Sequence, residues 1–398
     1  MKIFFITSKL NFISSGGSIE EIDLIIRTLQ KKGNDVTVVT AHSVGNDIPS
    51  ALPYKVIEEN IGASSYVALQ KNIIKLIKKY SDQTDIFHID AHLFVYGAGL
   101  YKLLGGKTPV VAFFNQYLSC WPQYESSLFP QPIVPFLKKI KSKIRFYIEK
   151  NIGMFLANKV DLFTFVSPTL RKMYEDFGIR KSTRDLVIGD PIDIKKIMSD
   201  GKVGEESYSS RVTEKKPIIL FYSSRMSAGK GFDILIKAFS CLADKSKYKL
   251  ILGGIGPEEK YVKNMVAELG LQDFVEIPGW VSKEQLYENY RNADIFIQAD
   301  WWPAGTSISL IYALAFGVPS ILPGGGGLQW NAGEGALYFK YRDYKELAQT
   351  IEKLGGDLEL RKELSIKCYD RLHHDEMNPD IQIGKLDEGI HLLMKKFI

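Results

Sequence analysis

The chain has 398 residues, of which 45% are hydrophobic and 24% charged. That is too long for one core of ordinary size, so two domains of similar size are expected in a protein of ordinary globular composition. The net charge of +5 is spread along the chain and makes no case for nucleic acid. Cys120, Cys241 and Cys368 lie far apart without a C-x-x-C pair, which argues against a disulfide framework or cysteine zinc site and fits a reducing compartment.

No apolar run reaches the roughly 18 residues of a membrane span, and the start, MKIFFITSKLNFISSGG, is too briefly apolar for a signal peptide. A cytoplasmic location is expected. The first strand is KIFFIT (2–7), followed by Ser14-Ser15-Gly16-Gly17 and an amphipathic helix from Ser18 to about Lys32. Gly33-Asn34 ends that helix and DVTVVTA is the next strand, an opening βαβ unit without the full G-x-G-x-x-G spacing. A helix at 66–80, the strand IFHID (86–90), a helix near 97–104 and the strand PVVAFFN (109–115) continue the alternation. A long basic helix, 134–158, then precedes the strand LFTFVS (162–167), a helix at 168–177 and the strand LVIGDPID (186–193).

The polar stretch after it reads as a linker, and a second alternation begins at PIILFYSS (217–224). KLILGG (249–254), FVEIPGW (274–280), DIFIQ (294–298) and PSIL (319–322) are its further strands, with helices between them. The expected domains are 1–195, a linker 196–216, a second domain 217–375, and a terminal helix at 376–398 that packs across the junction. The expected fold class is α/β: two Rossmann-like doubly wound domains facing across a cleft, with ligands at the carboxyl ends of the strands.

ADIFIQADWWPAGTSISLIYALAFGVPSILPGGGG, 293–327, reads as strand, loop, helix, strand and glycine loop. Thr306 or Ser307 caps that helix, whose start, beside Gly305, offers free amides to an anion. In SSRMSAGKGFDILIKAF, Arg225 and Lys230 flank a tight loop at a strand end. They read either as a clamp for a diphosphate or as solvated loop charges. Gly254 lies in a G-x-G-P turn, and Gly279-Trp280-Val281 offers backbone groups to a base edge, although ordinary turns use the same glycines.

The order R-x-x-x-x-K-G, G-x-G-P, G-[FW]-V-S, Y-x-x-A-D-[IV]-F and A-x-x-x-G-V-P resembles retaining sugar-nucleotide glycosyltransferases of family 4, with the GT-B fold. SSGGSIEEIDLIIRTLQKKGNDVTVVT is similar to that family's N-terminal glycine loop and first helix. The resemblance implies transfer of a sugar from a nucleotide diphosphate to a hydroxyl of a glycan, glycolipid or glycoprotein, in surface polysaccharide or glycoconjugate assembly. It implies that Arg225, Lys230 and amides of Gly305, Thr306 and Ser307 stabilise the leaving diphosphate, with Gly16 and Gly17 adding amides. No metal or cofactor is then required.

The family's paired glutamates fall on Ala304 and Tyr312 here, and its active-site histidine falls on Asn115. Asp300, beside Trp301 and Trp302, is the nearest carboxylate and the expected substitute. The tryptophans either stack on a sugar or pack under the loop. Asp90 and His92 past a strand end are expected in acceptor binding or proton transfer, and Glu334 is expected to reach the donor sugar. The helix at 134–158, with Lys138, Lys139, Lys141, Lys143 and Arg145 among Ile140, Ile144, Tyr147 and Phe155, reads either as a surface for anionic lipid or as a sheet-covering helix. The competing class is a catalytically degenerate glycosyltransferase-like protein that binds a sugar, a lipid or a partner enzyme.

Overall fold

The computed structural model describes residues 1–13, 17–90, 92–116, 136–214, 217–301 and 305–397, without the side chains of 136–139 and 142. Gly16, Trp302 and Ala304 lie outside the described residues. Among the described residues, 1–192 with 378–397 form one compact unit and 193–377 form a second.

The first unit holds β1 (Lys2–Thr7), β2 (Asp35–Thr40), β3 (Lys55–Glu58), β4 (Ile86–Asp90), β5 (Val110–Phe114), β6 (Leu162–Phe165) and β7 (Leu186–Val187). They form one sheet in the order β3-β2-β1-β4-β5-β6-β7, paired in parallel throughout. β4 and β5 are buried at every residue, as parallel strands covered by helices on both faces must be. The order reverses between β1 and β4, which makes the carboxyl ends of those two strands the unit's switch point.

Two departures from the sequence reading concern β3 and the helix after β4. β3 is a half-exposed edge strand of four residues, too short to show a clear period. The helix expected near 97–104 spans His92–Leu103 instead, so His92 opens a buried helix rather than a loop. The terminal helix Pro379–Met394 packs on the helix Ser18–Lys31 and on β7. Asn34 donates to Asp387 at 2.8 Å and the Gly189 amide to Gln382 at 3.2 Å to hold it there.

The second unit holds β8 (Ile218–Ser223), β9 (Tyr248–Gly253), β10 (Val275–Gly279), β11 (Ile295–Ile297), β12 (Ser320–Pro323) and β13 (Ala336–Phe339). Its sheet runs β10-β9-β8-β11-β12-β13, again parallel, with the switch point between β8 and β11. β13 was not expected from ALYF, which is only four residues long. Residues 196–216, read as a linker, include most of the helix Ile194–Gly201 and the whole of Ser207–Arg211. Tyr208 of the latter is buried and donates to the Asp294 carbonyl at 2.6 Å.

Candidate active site

The second unit's site is assembled at the carboxyl ends of β8, β9, β10 and β11. Ser224 and Met226, on either side of Arg225, run against the loop after β9: their amides donate to Gly253 at 3.2 Å and Ile255 at 3.0 Å. This approach needs glycine. A Cβ at Gly254, whose φ is +114°, would lie 2.0 Å from the Ser224 carbonyl oxygen. The Gly254 amide in turn donates to the Gly279 carbonyl at 2.7 Å, bringing the two glycine turns together. Arg225 and Trp280 are exposed at this edge, and Val281 lies over Gly253.

Across the switch point, Lys230 and Asp300 form an ion pair, Nζ to Oδ2 at 3.0 Å. The buried Tyr222 hydroxyl donates to the other Asp300 oxygen at 3.1 Å. Both carboxylate oxygens are therefore engaged, one by a cation and one by a phenol. The sequence reading cast Asp300 as a replacement carboxylate for the donor sugar; in this geometry its carboxylate holds Lys230. Tyr222 was missed, although it brings a phenol to the apolar strand IILFYS.

Trp301 is fully buried, and its indole N–H donates to Asp233 at 2.9 Å while its amide donates to Gly229 at 2.8 Å. Arg342 lies over the ring, 5.6 Å from its centroid. Of the two readings of Trp301, packing under the loop is the one realised. Ser307 caps the helix Ile308–Ala315, accepting from the Leu310 amide at 3.3 Å. Two residues on, Ser309 donates to the Ser223 carbonyl at 2.9 Å, which ties that helix start to the end of β8. Thr306 and Gly305 precede the cap at the same edge.

Two expected donor contacts are placed elsewhere. Tyr312 is buried in an aromatic stack, 6.0 Å from Tyr287 and 5.9 Å from Tyr290 between ring centroids. The helix Gly327–Ala332 carries the chain back across the sheet, so Glu334 precedes β13 at the amino edge, opposite Lys230. There it is 84% exposed and pairs with Lys367 at 3.5 Å.

In the first unit, Gly17 precedes the helix Ser18–Lys31 as its N-cap residue. Asn115 follows β5 at the carboxyl edge, half-buried. Asp90 ends β4 beside Thr7 of β1, whose hydroxyl donates to it at 3.1 Å. Burial raises the Asp90 carboxyl to about 6. Burial first, and then the nearby Arg145 charge, lowers His92 to about 4, so its imidazole is neutral near pH 7.

Residues 16–196 match the family Glycosyltransferase Family 4, and residues 205–371 match Glycosyl transferases group 1. Mannosylfructose-phosphate synthase of Agrobacterium fabrum is 33% identical over 141 residues, 32% of this chain and 31% of that protein. The putative colanic acid biosynthesis glycosyltransferase WcaL of Escherichia coli is 26% identical over 113 residues, 26% of this chain and 27% of WcaL. The matched stretches thus span about a third or less of each relative. The solved sucrose-phosphate synthase of Thermosynechococcus elongatus superposes with a TM-score of 0.77 at 18% identity, covering 100% of both chains. On a GT-B fold, then, this chain carries a family 4 glycosyltransferase domain followed by a group 1 glycosyltransferase domain.

Proposed function

We propose that the protein transfers a sugar, with retention at the anomeric carbon and without a metal, from a nucleotide-diphosphate donor to an acceptor hydroxyl. The observation that carries this reading is the fixed cation at the β8–β11 switch point. Lys230 is held by Asp300, Arg225 is exposed one loop away, and the capped start of Ile308–Ala315 is tied to the same strand end. Breaking the glycosyl–phosphate bond puts negative charge on the leaving diphosphate. Two cations and the amides near Gly305, Thr306 and Ser307 are the groups suited to stabilise it. Gly254, Gly279, Trp280 and Val281 would then take the nucleoside.

Calorimetric titration of the full chain with UDP, GDP and ADP, and with their sugars, tests this. At least one nucleotide is expected to bind saturably and about tenfold or more weakly in Arg225→Ala. Silence with every nucleotide would overturn the reading. A second reading, a degenerate binding protein, is favoured by one observation: Tyr312 stands at a glutamate position of the family and is packed into the core. Binding of a nucleotide with neither hydrolysis nor transfer of any of the sugars would select it.

The proposed acceptor is a glycan, glycolipid or glycoprotein in surface polysaccharide or glycoconjugate assembly, a pathway supported by the WcaL relative. The proposed location is the cytoplasmic face of the plasma membrane. The helix Phe136–Ile148 and the turns after it leave Ile144, Tyr147, Ile148, Ile152 and Phe155 exposed in a helical stripe. Lys141, Lys143 and Lys150 are exposed beside it, and Lys159 lies 4.8 Å from the Phe155 ring centroid. An apolar stripe rimmed by lysine suits an anionic lipid surface, at about 1 kcal/mol for each lysine near it. Flotation with phosphatidylglycerol vesicles is expected to recover the protein, and Ile144→Ser with Phe155→Ser to release it. Equal recovery of that double variant would reject membrane docking through this helix.

A further inference from the structure

The second unit holds a cavity of about 550 Å³ at the amino edge of its sheet, where Ile218 and Tyr248, the first residues of β8 and β9, line it. The length of those strands, roughly 17 Å at the usual rise, separates it from Ser223 and Gly253 at the candidate active site. Its other wall is the corner between the helices Tyr344–Gly356 and Leu358–Leu372, with Glu352 and Gly355 before the turn and Arg361 after it. Arg361 is only 2% exposed. Its Nη1 donates to the Leu354 and Gly355 carbonyls at 2.8 and 2.6 Å, and so caps the first of these helices. The two carbonyls offset part of the charge. Nε is buried with no hydrogen-bond partner, and among the described residues no carboxylate pairs with the guanidinium. Buried cations are ordinarily completed by an anion, so this one calls for a counter-charge from outside the chain.

Opposite charge lines the same cavity without meeting Arg361. Glu352 accepts from the Ala243 amide at 2.8 Å through one oxygen, Oε1. Tyr248 lies close to both groups: burial raises its phenol, the Glu352 charge raises it further and the Arg361 charge draws it back. Gly355 is what lets the ring in, since a Cβ there would lie 2.6 Å from Tyr248 Cε1 and 2.8 Å from its oxygen. Asp244 and Lys247, also at the cavity, pair with each other at 3.6 Å, and Glu214 adds an exposed carboxylate. The cavity therefore suits a carboxylate for the fork of Arg361, together with a positive group for Glu352 and Glu214. A phosphate dianion would meet one buried cation and two carboxylates that no described cation neutralises, and is disfavoured.

We propose that this cavity binds a small zwitterion of the amino-acid type, with its carboxylate on Arg361, its ammonium group beside Glu352 and the Tyr248 hydroxyl between them. The site lies at the opposite edge of the sheet from Lys230 and does not depend on the donor reading.

Saturation-transfer NMR on the full chain with the standard L-amino acids tests it. At least one is expected to bind saturably. Its amide, which lacks the carboxylate, and its N-acetyl derivative, which lacks the ammonium, are each expected to bind at least tenfold more weakly, a comparison that needs no altered protein. Glu352→Gln keeps an oxygen for the Ala243 amide and loses the charge. It is expected to melt with the parent and to bind the amino acid at least tenfold more weakly. Arg361→Lys keeps a cation but not the fork, and the same loss of affinity is expected. The proposal is overturned if no amino acid binds, if the amide or the N-acetyl derivative binds as well as the amino acid, or if either variant binds like the parent. Displacement of the amino acid by inorganic phosphate would overturn it in favour of a simple anion site. UDP is titrated separately and is expected to bind Glu352→Gln as it binds the parent; failure of UDP to bind the parent would strike the donor reading and leave this site standing.

Discussion

Lys230→Ala is expected to lower kcat/KM for the sugar donor by about 10²–10³-fold, the loss typical when one preorganised group facing developing negative charge is removed. Removing Asp300 tests why that cation is effective. A lysine side chain has many rotamers, and those are restricted here by an ion pair at 3.0 Å whose carboxylate is itself fixed by the Tyr222 hydroxyl at 3.1 Å. Asp300→Asn keeps an oxygen for Tyr222 and loses the ionic partner of Lys230. The nucleotide is then expected to bind about tenfold more weakly, with a smaller change in kcat. Asp300→Ala leaves the buried Tyr222 hydroxyl without this acceptor as well, and is expected to cost about 1–3 kcal/mol of stability.

The alternative role for Asp300, a carboxylate that touches the donor sugar, predicts the opposite division. Nucleotide affinity would be unchanged in Asp300→Asn, while turnover of the nucleotide sugar would fall by orders of magnitude. Calorimetry with the nucleotide and initial rates with its sugar, on the same variants, separate the two. A positioning role for Asp300 is overturned if the nucleotide binds Asp300→Asn as it binds the parent.

The alternation of apolar strands and amphipathic helices made most of the two sheets legible from the sequence, because parallel strands buried on both faces read as short continuous apolar runs. IFHID and VVAFF are such runs. What escaped was short, as with KVIE and ALYF, or depended on contacts between distant loops. Asp300 looked like an available acid because nothing within its own loop shows that Lys230 and Tyr222 will occupy it. Glu334 looked close to the donor because it follows four glycines, but the helix Gly327–Ala332 takes it to the other edge. Glu21, an acid in the first turn of its helix, stands four residues before Ile25 and eight before Leu29, in line with the apolar stripe. His88 is the contrasting case. It stacks on Phe5 at 4.3 Å between centroids, fully buried, and burial lowers it to about 3, so it behaves as a neutral core ring.

Gly231→Ala is expected to disable the same site through the backbone. Gly231 has a φ of +70° and begins the helix Phe232–Ser240. A Cβ there would lie 1.8 Å from the Ala299 carbonyl oxygen and 2.2 Å from its carbon. These are main-chain atoms that no rotamer change can move. Both contacting residues adjoin the ion pair: Lys230 precedes Gly231, and Asp300 follows Ala299. The missing side chain is therefore what lets the two loops approach closely enough for the ion pair to form. Left-handed backbone alone costs alanine about 1–2 kcal/mol, and separating the loops also removes the bond from the Trp301 amide to Gly229. The melting transition of the second unit is expected to fall by roughly 4–8 °C for a loss of about 2 kcal/mol, together with nucleotide binding. Gly305→Ala is the internal control, since a Cβ there would meet no described heavy atom within 4 Å and its φ is not positive. It is expected to melt with the parent and to lose affinity only if the ligand's phosphates approach that backbone. A Gly231→Ala protein that melts and binds like the parent would mean that the close approach of these loops does not create the site.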